Sequence, residues 1–68
     1  MIKIKVPELL EENNLNATDL MRKGNIAYAT ALRLSKGRGT GISFEVLESL
    51  CKLFNVGVEG ILEYIHNN

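Results

Sequence analysis

Five basic side chains lie within one stretch of eighteen residues that contains no acid: Arg22, Lys23, Arg33, Lys36 and Arg38. The flanking segments are acidic, with net charge −2 over residues 1–21 and −3 over residues 40–68, so the 68-residue chain is neutral as a whole. Guanidinium and ammonium groups bind phosphates, and a local acid-free run is what a phosphate-binding surface needs. The alternative is a solvated face without a partner.

Side chains that act as nucleophiles, bases or metal ligands are sparse. Cys51 and His66 are each the only residue of their type, which argues against a disulfide framework and a zinc site. The sequence offers no nucleophile–base pair, no paired carboxylates and no glycine-rich phosphate loop. We therefore expect no enzymatic activity, no cofactor, no metal and no small-molecule ligand. A lone cysteine and the lack of a signal-peptide or membrane-spanning pattern favour a cytoplasmic protein.

The rest of the sequence predicts the elements that position the basic run. Alternation of Ile2, Ile4 and Val6 with lysines predicts a strand over 1–6. Apolar spacing and caps predict helices over 7–13, 17–23, 27–36, 44–54 and 58–66. In the fourth helix the predicted apolar stripe is Phe44, Leu47, Leu50, Cys51 and Phe54. The predicted fold class is therefore all-α: one domain over residues 1–68, with five helices and a strand-like arm.

Residues 16–37 predict a helix-turn-helix, because two short helices are separated by a short turn that contains Gly24. In the second of them, here called the recognition helix, a rotation of 100° per residue divides the side chains between two faces. Ile26, Thr30, Ala31 and Leu34 are predicted to face the domain. Tyr28, Ala29, Leu32 and Arg33 are predicted to face outward, with Lys36 close by. A helix that enters the major groove needs this division.

The same segment resembles the phage-repressor and Cro-like (Xre-type) helix-turn-helix family, especially its small stand-alone members. The resemblance rests on Leu20-Met21, residues 24–27, Thr30-Ala31-Leu32, Leu34 and Gly37, and continues through 42–51, 54–56 and 61–64. It covers residues 5–65. It implies a five-helix repressor-like domain that binds double-stranded DNA, and a transcriptional regulator that represses by covering a promoter. Three positions depart from the family pattern: Ala17 replaces a frequent Gln, Ala27 a capping Ser, and Leu32 a small polar residue.

The resemblance also assigns roles along the chain. Residues predicted to read base edges are Tyr28, Ala29, Leu32 and Arg33. Residues predicted to meet phosphates are Ala17, Thr18, Thr30, Lys36, Arg38 and Thr40. For Arg33 the sequence leaves two targets open, a guanine edge or a phosphate. For Tyr28 and Leu32, one helical turn apart, the alternative to DNA is a small apolar patch for a protein partner.

A homodimer is predicted because one recognition helix reads few base pairs, and members of the family usually pair. The five helices account for the core, so strand 1–6 has no obvious partner in its own chain. Pairing with the same strand of a second subunit would satisfy it. The alternative is that the strand folds back on its own fifth helix, which then makes the dimer. The predicted interface residues are Ile2, Ile4, Val6, Ile61, Tyr64 and Ile65.

Two functions of different classes remain open at this point. The first is a sequence-specific DNA-binding regulator, which the basic run favours. The second is a protein-interaction module on the same fold, such as an antitoxin, an antirepressor or an accessory factor. The Tyr28/Leu32 patch, the absence of the usual Gln at Ala17 and the zero net charge favour the second.

Overall fold

The computed structural model describes residues 1–39 and 41–66 of the chain. In chain order its elements are β1 (Ile2–Ile4), α1 (Val6–Asn13), α2 (Ala17–Gly24), α3 (Tyr28–Ser35), α4 (Phe44–Phe54), α5 (Val58–Ile61) and β2 (Leu62–Tyr64). The predicted all-α class and the five helices are confirmed within the described residues. Thr40, a predicted phosphate contact, lies outside them.

Polar side chains fix where the helices begin. The Asn16 side chain accepts a hydrogen bond from the Asp19 backbone at 3.1 Å, and the Asp19 carboxylate accepts one from the Asn16 backbone at 2.9 Å. This reciprocal pair satisfies two backbone donors that the start of α2 would otherwise leave free. Ser43 caps α4 by accepting from the Val46 backbone at 3.1 Å. Both predicted caps are confirmed, whereas Ala27 gives α3 no side-chain cap.

Three helices end at an asparagine in the left-handed conformation: α1 at Asn14, α2 at Asn25 and α4 at Asn55. Asparagine adopts this conformation more readily than other residues with a side chain, because its short amide bonds locally to the backbone. Each reverses the chain without a long loop. α2 therefore passes directly into the turn before α3, as the helix-turn-helix requires.

The core lies where α1, α2, α3, α4 and α5 meet. Its fully or nearly fully buried side chains are Val6, Leu10, Leu20, Ile26, Ala31, Leu34, Leu50 and Ile61. Leu47, Cys51 and Phe54 pack against them as the predicted stripe requires. Phe44 was wrongly placed on that stripe, because its side chain is 87% exposed. Phe44 is the first residue of α4.

The fifth helix is shorter than predicted. A single helix over 58–66 is wrong: α5 ends at Ile61, and Leu62–Tyr64 form β2. β2 pairs antiparallel with β1, so that Lys3 lies opposite Glu63. Further backbone hydrogen bonds extend the pairing, from Lys5 to Ile61 at 2.7 Å and from Ile65 to Met1 at 2.7 Å. These long-range bonds satisfy backbone N–H and C=O groups that would form helical hydrogen bonds if α5 continued.

The strand therefore has a partner in its own chain, contrary to the prediction. The strand itself covers only Ile2–Ile4, since Val6 already begins α1. Neither sequence-based alternative described this pairing, because both treated residues 58–66 as a helix. The result is a two-stranded ribbon, formed by β1 and β2, at one end of the helical domain.

Candidate nucleic-acid interface

The exposed face of α3 carries the four side chains predicted to read bases. Tyr28 and Leu32 are 49% and 37% exposed, and Ala29 and Arg33 are exposed beside them. Residues four apart are neighbours on a helix surface, so the face consists of two adjacent rows, Tyr28–Leu32 and Ala29–Arg33. The structure therefore brings these four exposed side chains together on the outer surface of α3.

The opposite face of α3 is anchored in the core. Ala31 and Leu34 are fully buried, and Ile26, in the preceding turn, is nearly so. Thr30 is half-buried at the border between the two faces. The predicted division of the recognition helix is confirmed, and it leaves α3 supported from behind by α2 and α1 while its outer rows point away.

The chain leaves α3 through a tight C-terminal turn. The Gly37 backbone donates to the Leu34 carbonyl at 2.9 Å, and the Arg38 backbone donates to the Arg33 carbonyl at 3.1 Å. This is the Schellman arrangement, which needs a left-handed residue, and Gly37 supplies it with φ of 69°. The turn places Lys36 and Arg38, both exposed, directly beyond the recognition helix.

The loop then folds back against the Arg33 side chain. A Cβ built on Gly39 would lie 3.3 Å from Nε of Arg33 and 3.7 Å from its Cδ. Arg33 also borders a cleft of about 210 Å³ between α3 and the start of α4. The cleft is lined by Thr30, Arg33, Gly41, Ile42, Ser43 and Val46. Gly39, Ile42 and Val46 were not predicted to belong to this region. The glycines at 37, 39 and 41 indicate a loop there, but nothing in the sequence indicates its contact with Arg33.

The five bases of the acid-free run take part in no ion pair within the described part of the chain. The ion pairs found there join Lys3 to Glu8 at 3.1 Å and Lys52 to Glu48 at 3.3 Å, both outside the run. Positive charge on α3 and the loop after it is therefore available to an external anion. Such an arrangement attracts a polyanion through long-range electrostatics.

The remaining predicted phosphate contacts occupy less exposed positions. Ala17 and Thr18 lie in the first turn of α2 and are half-buried. Ala17 offers no polar side-chain atom, so only its backbone can donate to a phosphate. Thr18 and Thr30 carry hydroxyl groups that donate without adding charge.

Two of the predicted interface residues are wrong. Val6 and Ile61 are fully buried in the core of their own chain and offer no surface to a partner. Ile4 and Ile65 are half-buried, whereas Ile2 and Tyr64 are more than half exposed. Val6 is the first residue of α1 and Ile61 the last residue of α5, and both belong to the core between the helices.

No group of three or more His, Cys, Asp or Glu side chains that could hold a metal ion occurs among residues 1–39 and 41–66. In the same residues, every helix is too short or too polar to cross a membrane.

Comparison with known proteins agrees with this geometry. The family model of a Cro/C1-type HTH DNA-binding domain matches residues 5–67. No curated protein and no solved structure matches the chain significantly. The matched range includes all five helices and the ribbon strand β2, so the match extends across the whole helical domain and not only the two helices of the motif.

Proposed function

The chain belongs to the Cro/C1-type helix-turn-helix DNA-binding family and is a DNA-binding transcription regulator; from this premise we propose that it is a sequence-specific repressor that covers a promoter. One observation carries the proposal: an exposed recognition face on α3 is bordered by basic side chains without ion pairs in the described part of the chain. A repressor of this kind needs only to bind duplex DNA tightly and specifically.

In the proposed complex α3 lies in the major groove. Tyr28, Ala29 and Leu32 face base edges, where Ala29 and Leu32 suit thymine methyl groups. Lys36 and Arg38, beyond the end of α3, meet phosphates along the groove. The α2 start at Ala17 and Thr18 offers backbone and hydroxyl donors to the same phosphate chain. Arg33 belongs to this surface as well, and its target is considered below.

We further propose that two copies act together as a symmetric dimer. Two recognition helices about 34 Å apart would reach successive major grooves on one side of the duplex. The outer end of the ribbon supports this proposal, because Ile2 and Tyr64 present apolar surface there. An apolar cleft of about 150 Å³ lies beside Ile2, between the ribbon and the loop that precedes α4.

The experiment that tests the function is a selection of bound sequences from random duplexes, followed by transcription from a promoter that contains the selected site. We expect the selected duplex to bind more tightly than a random one, and the protein to lower transcription only where the site overlaps the promoter. Transcription that rises, or that falls equally without the site, would refute repression by promoter covering.

A protein-interaction module remains the second candidate. The observation that favours it is apolar exposure on the recognition face, where Tyr28 and Leu32 stand side by side. Failure of the wild-type protein to bind any duplex at low salt would favour this candidate over DNA binding.

A further inference from the structure

The side chain of Arg33 lies over the loop and not along the axis of the exposed face. The carbonyl of Arg33 accepts hydrogen bonds from the backbones of Lys36 at 3.2 Å and Arg38 at 3.1 Å. These two bonds fold the chain back toward its own helix, so that Gly39 arrives beneath the Arg33 side chain. Arg33 therefore contacts the loop in two ways: its backbone carbonyl accepts hydrogen bonds from the loop, and its side chain packs against Gly39.

Gly39 suits this position for two reasons. Its φ is 138°, a conformation that residues with a side chain rarely adopt. A Cβ there would also lie 3.3 Å from Nε of Arg33, which is tighter than ordinary van der Waals contact. Any other residue would strain the loop, and its Cβ would require the Arg33 side chain to shift by a few tenths of an ångström.

The cleft that Arg33 borders has the chemistry of a phosphate site. Its polar side chains are the guanidinium of Arg33 and the hydroxyls of Thr30 and Ser43, and its described lining residues include no acid. Its volume of about 210 Å³ is several times the ~30 Å³ that one water molecule occupies in the liquid. A phosphodiester group with its negative charge fits these donors, whereas the flat edge of a base belongs further out on α3.

We infer that Gly39 is a positioning residue for Arg33 and that it directs the guanidinium to a backbone phosphate of the DNA at this cleft. This inference rests on the proposed function. Base reading then belongs to Tyr28, Ala29 and Leu32, and Arg33 contributes affinity that is independent of sequence.

The first test measures affinity of Arg33→Ala for a selected and a random duplex across a series of salt concentrations. We expect the variant to bind both duplexes about tenfold more weakly, the loss of one charge-assisted hydrogen bond. The slope of log affinity against log salt should fall in magnitude by about 0.9, the share of one phosphate. Arg33→Lys should retain most of the affinity, because a phosphate binds the point charge of a lysine ammonium group well. A guanine edge, by contrast, would need the two parallel N–H donors of the guanidinium.

Lys52→Ala is the matched control, since Lys52 lies in the last turn of α4, outside the basic run, and is paired with Glu48. It should leave both the affinity and the salt slope near the wild-type values. A fall in the ratio of selected to random affinity in Arg33→Ala would show that Arg33 reads a base, and would overturn the inference. Absence of wild-type binding to any duplex would instead refute the proposed function.

The second test is a double-mutant cycle between Gly39→Ala and Arg33→Ala. If Gly39 acts through Arg33, Gly39→Ala weakens binding in the wild-type background and has no further effect once Arg33 is removed. An equal loss in both backgrounds would show a merely structural role for Gly39. Circular dichroism checks that each variant is folded.

A measurement on the wild-type protein covers the case in which Gly39→Ala does not fold. Nuclear Overhauser effects between the α protons of Gly39 and the δ protons of Arg33 are expected in the free protein, because the contact precedes DNA binding. Their absence would overturn the positioning role whatever the variants do.

Discussion

Ile2 lies directly opposite Tyr64 in the two-stranded ribbon, and both side chains are more than half exposed. On the same face of the ribbon, the next pair inward is Ile4 opposite Leu62, which packs on the core. One face of the ribbon is therefore apolar along its whole length, from Ile4 and Leu62 at the core to Ile2 and Tyr64 at the surface. An exposed cross-strand pair of this kind is suited to contact with a second copy of the chain.

If that contact makes the dimer, the combined change Ile2→Glu and Tyr64→Glu should give a folded monomer. Both side chains lie outside the core, so the introduced charges would repel the partner with little effect on the fold. Sedimentation equilibrium measures the mass in solution. The matched control is Val58→Glu, which changes an apolar side chain that is 51% exposed at the start of α5, and it should remain dimeric. A double variant that stays dimeric would exclude the ribbon from the interface.

Lys36→Ala and Arg38→Ala should each weaken DNA binding by a similar factor for selected and random duplexes. Both residues lie in the loop beyond α3, where we expect a side chain to reach the DNA backbone and not a base edge. Each change should lower the magnitude of the salt slope by about 0.9. Fluorescence anisotropy titrations at several salt concentrations provide the measurement. Lys52→Ala serves as the control, since Lys52 is paired with Glu48 outside the basic run. If Lys52→Ala lowers the salt slope as much as Lys36→Ala does, the assignment of Lys36 to a phosphate is contradicted.

Leu32→Ala should alter sequence preference more than general affinity. Leu32 carries no charge and lies in the outer row of α3, so its loss removes apolar contact with a base. The discrimination at one base pair should fall by about 1–3 kcal/mol, while binding to random duplex stays near the wild-type value. Competition between single-base variants of the selected site measures this. A loss that is equal for all sequences would favour the protein-partner interpretation of the Tyr28/Leu32 patch.

Two cap substitutions should change stability in opposite directions. Asn16→Ala removes the side-chain oxygen that accepts from the Asp19 backbone and should lower the free energy of unfolding by about 1 kcal/mol. Ala27→Ser supplies the acceptor that the start of α3 lacks and should raise it by up to about 1 kcal/mol. For a domain of this size 1 kcal/mol corresponds to about 4–8 °C in Tm, so thermal unfolding followed by circular dichroism resolves both. An unchanged Tm for Asn16→Ala would show that the capping box contributes nothing in solution.

The sequence by itself determined most of the helical domain and the direction of the recognition face. Asn16 and Ser43 mark helix starts through local hydrogen bonds, and Asn14 marks a helix end, so these signals are readable without tertiary information. The same holds for the two faces of α3, because helical spacing alone separates Ala31 and Leu34 from Tyr28 and Leu32. The basic run is a property of composition and needs no structure to be found.

Only the tertiary structure decided what residues 62–64 do. Their apolar spacing suits a helix or a strand, and the choice depends on whether β1 is close enough to pair with them. Packing among the helices buries Val6 at the start of α1 and Ile61 at the end of α5, so neither can contribute to the predicted interface. The contact between Gly39 and Arg33 depends likewise on the return of the loop after Gly37. Such contacts join residues that are distant in sequence or that a turn brings back together. They leave no periodic pattern of apolar residues in the sequence, because tertiary packing and not local conformational preference creates them.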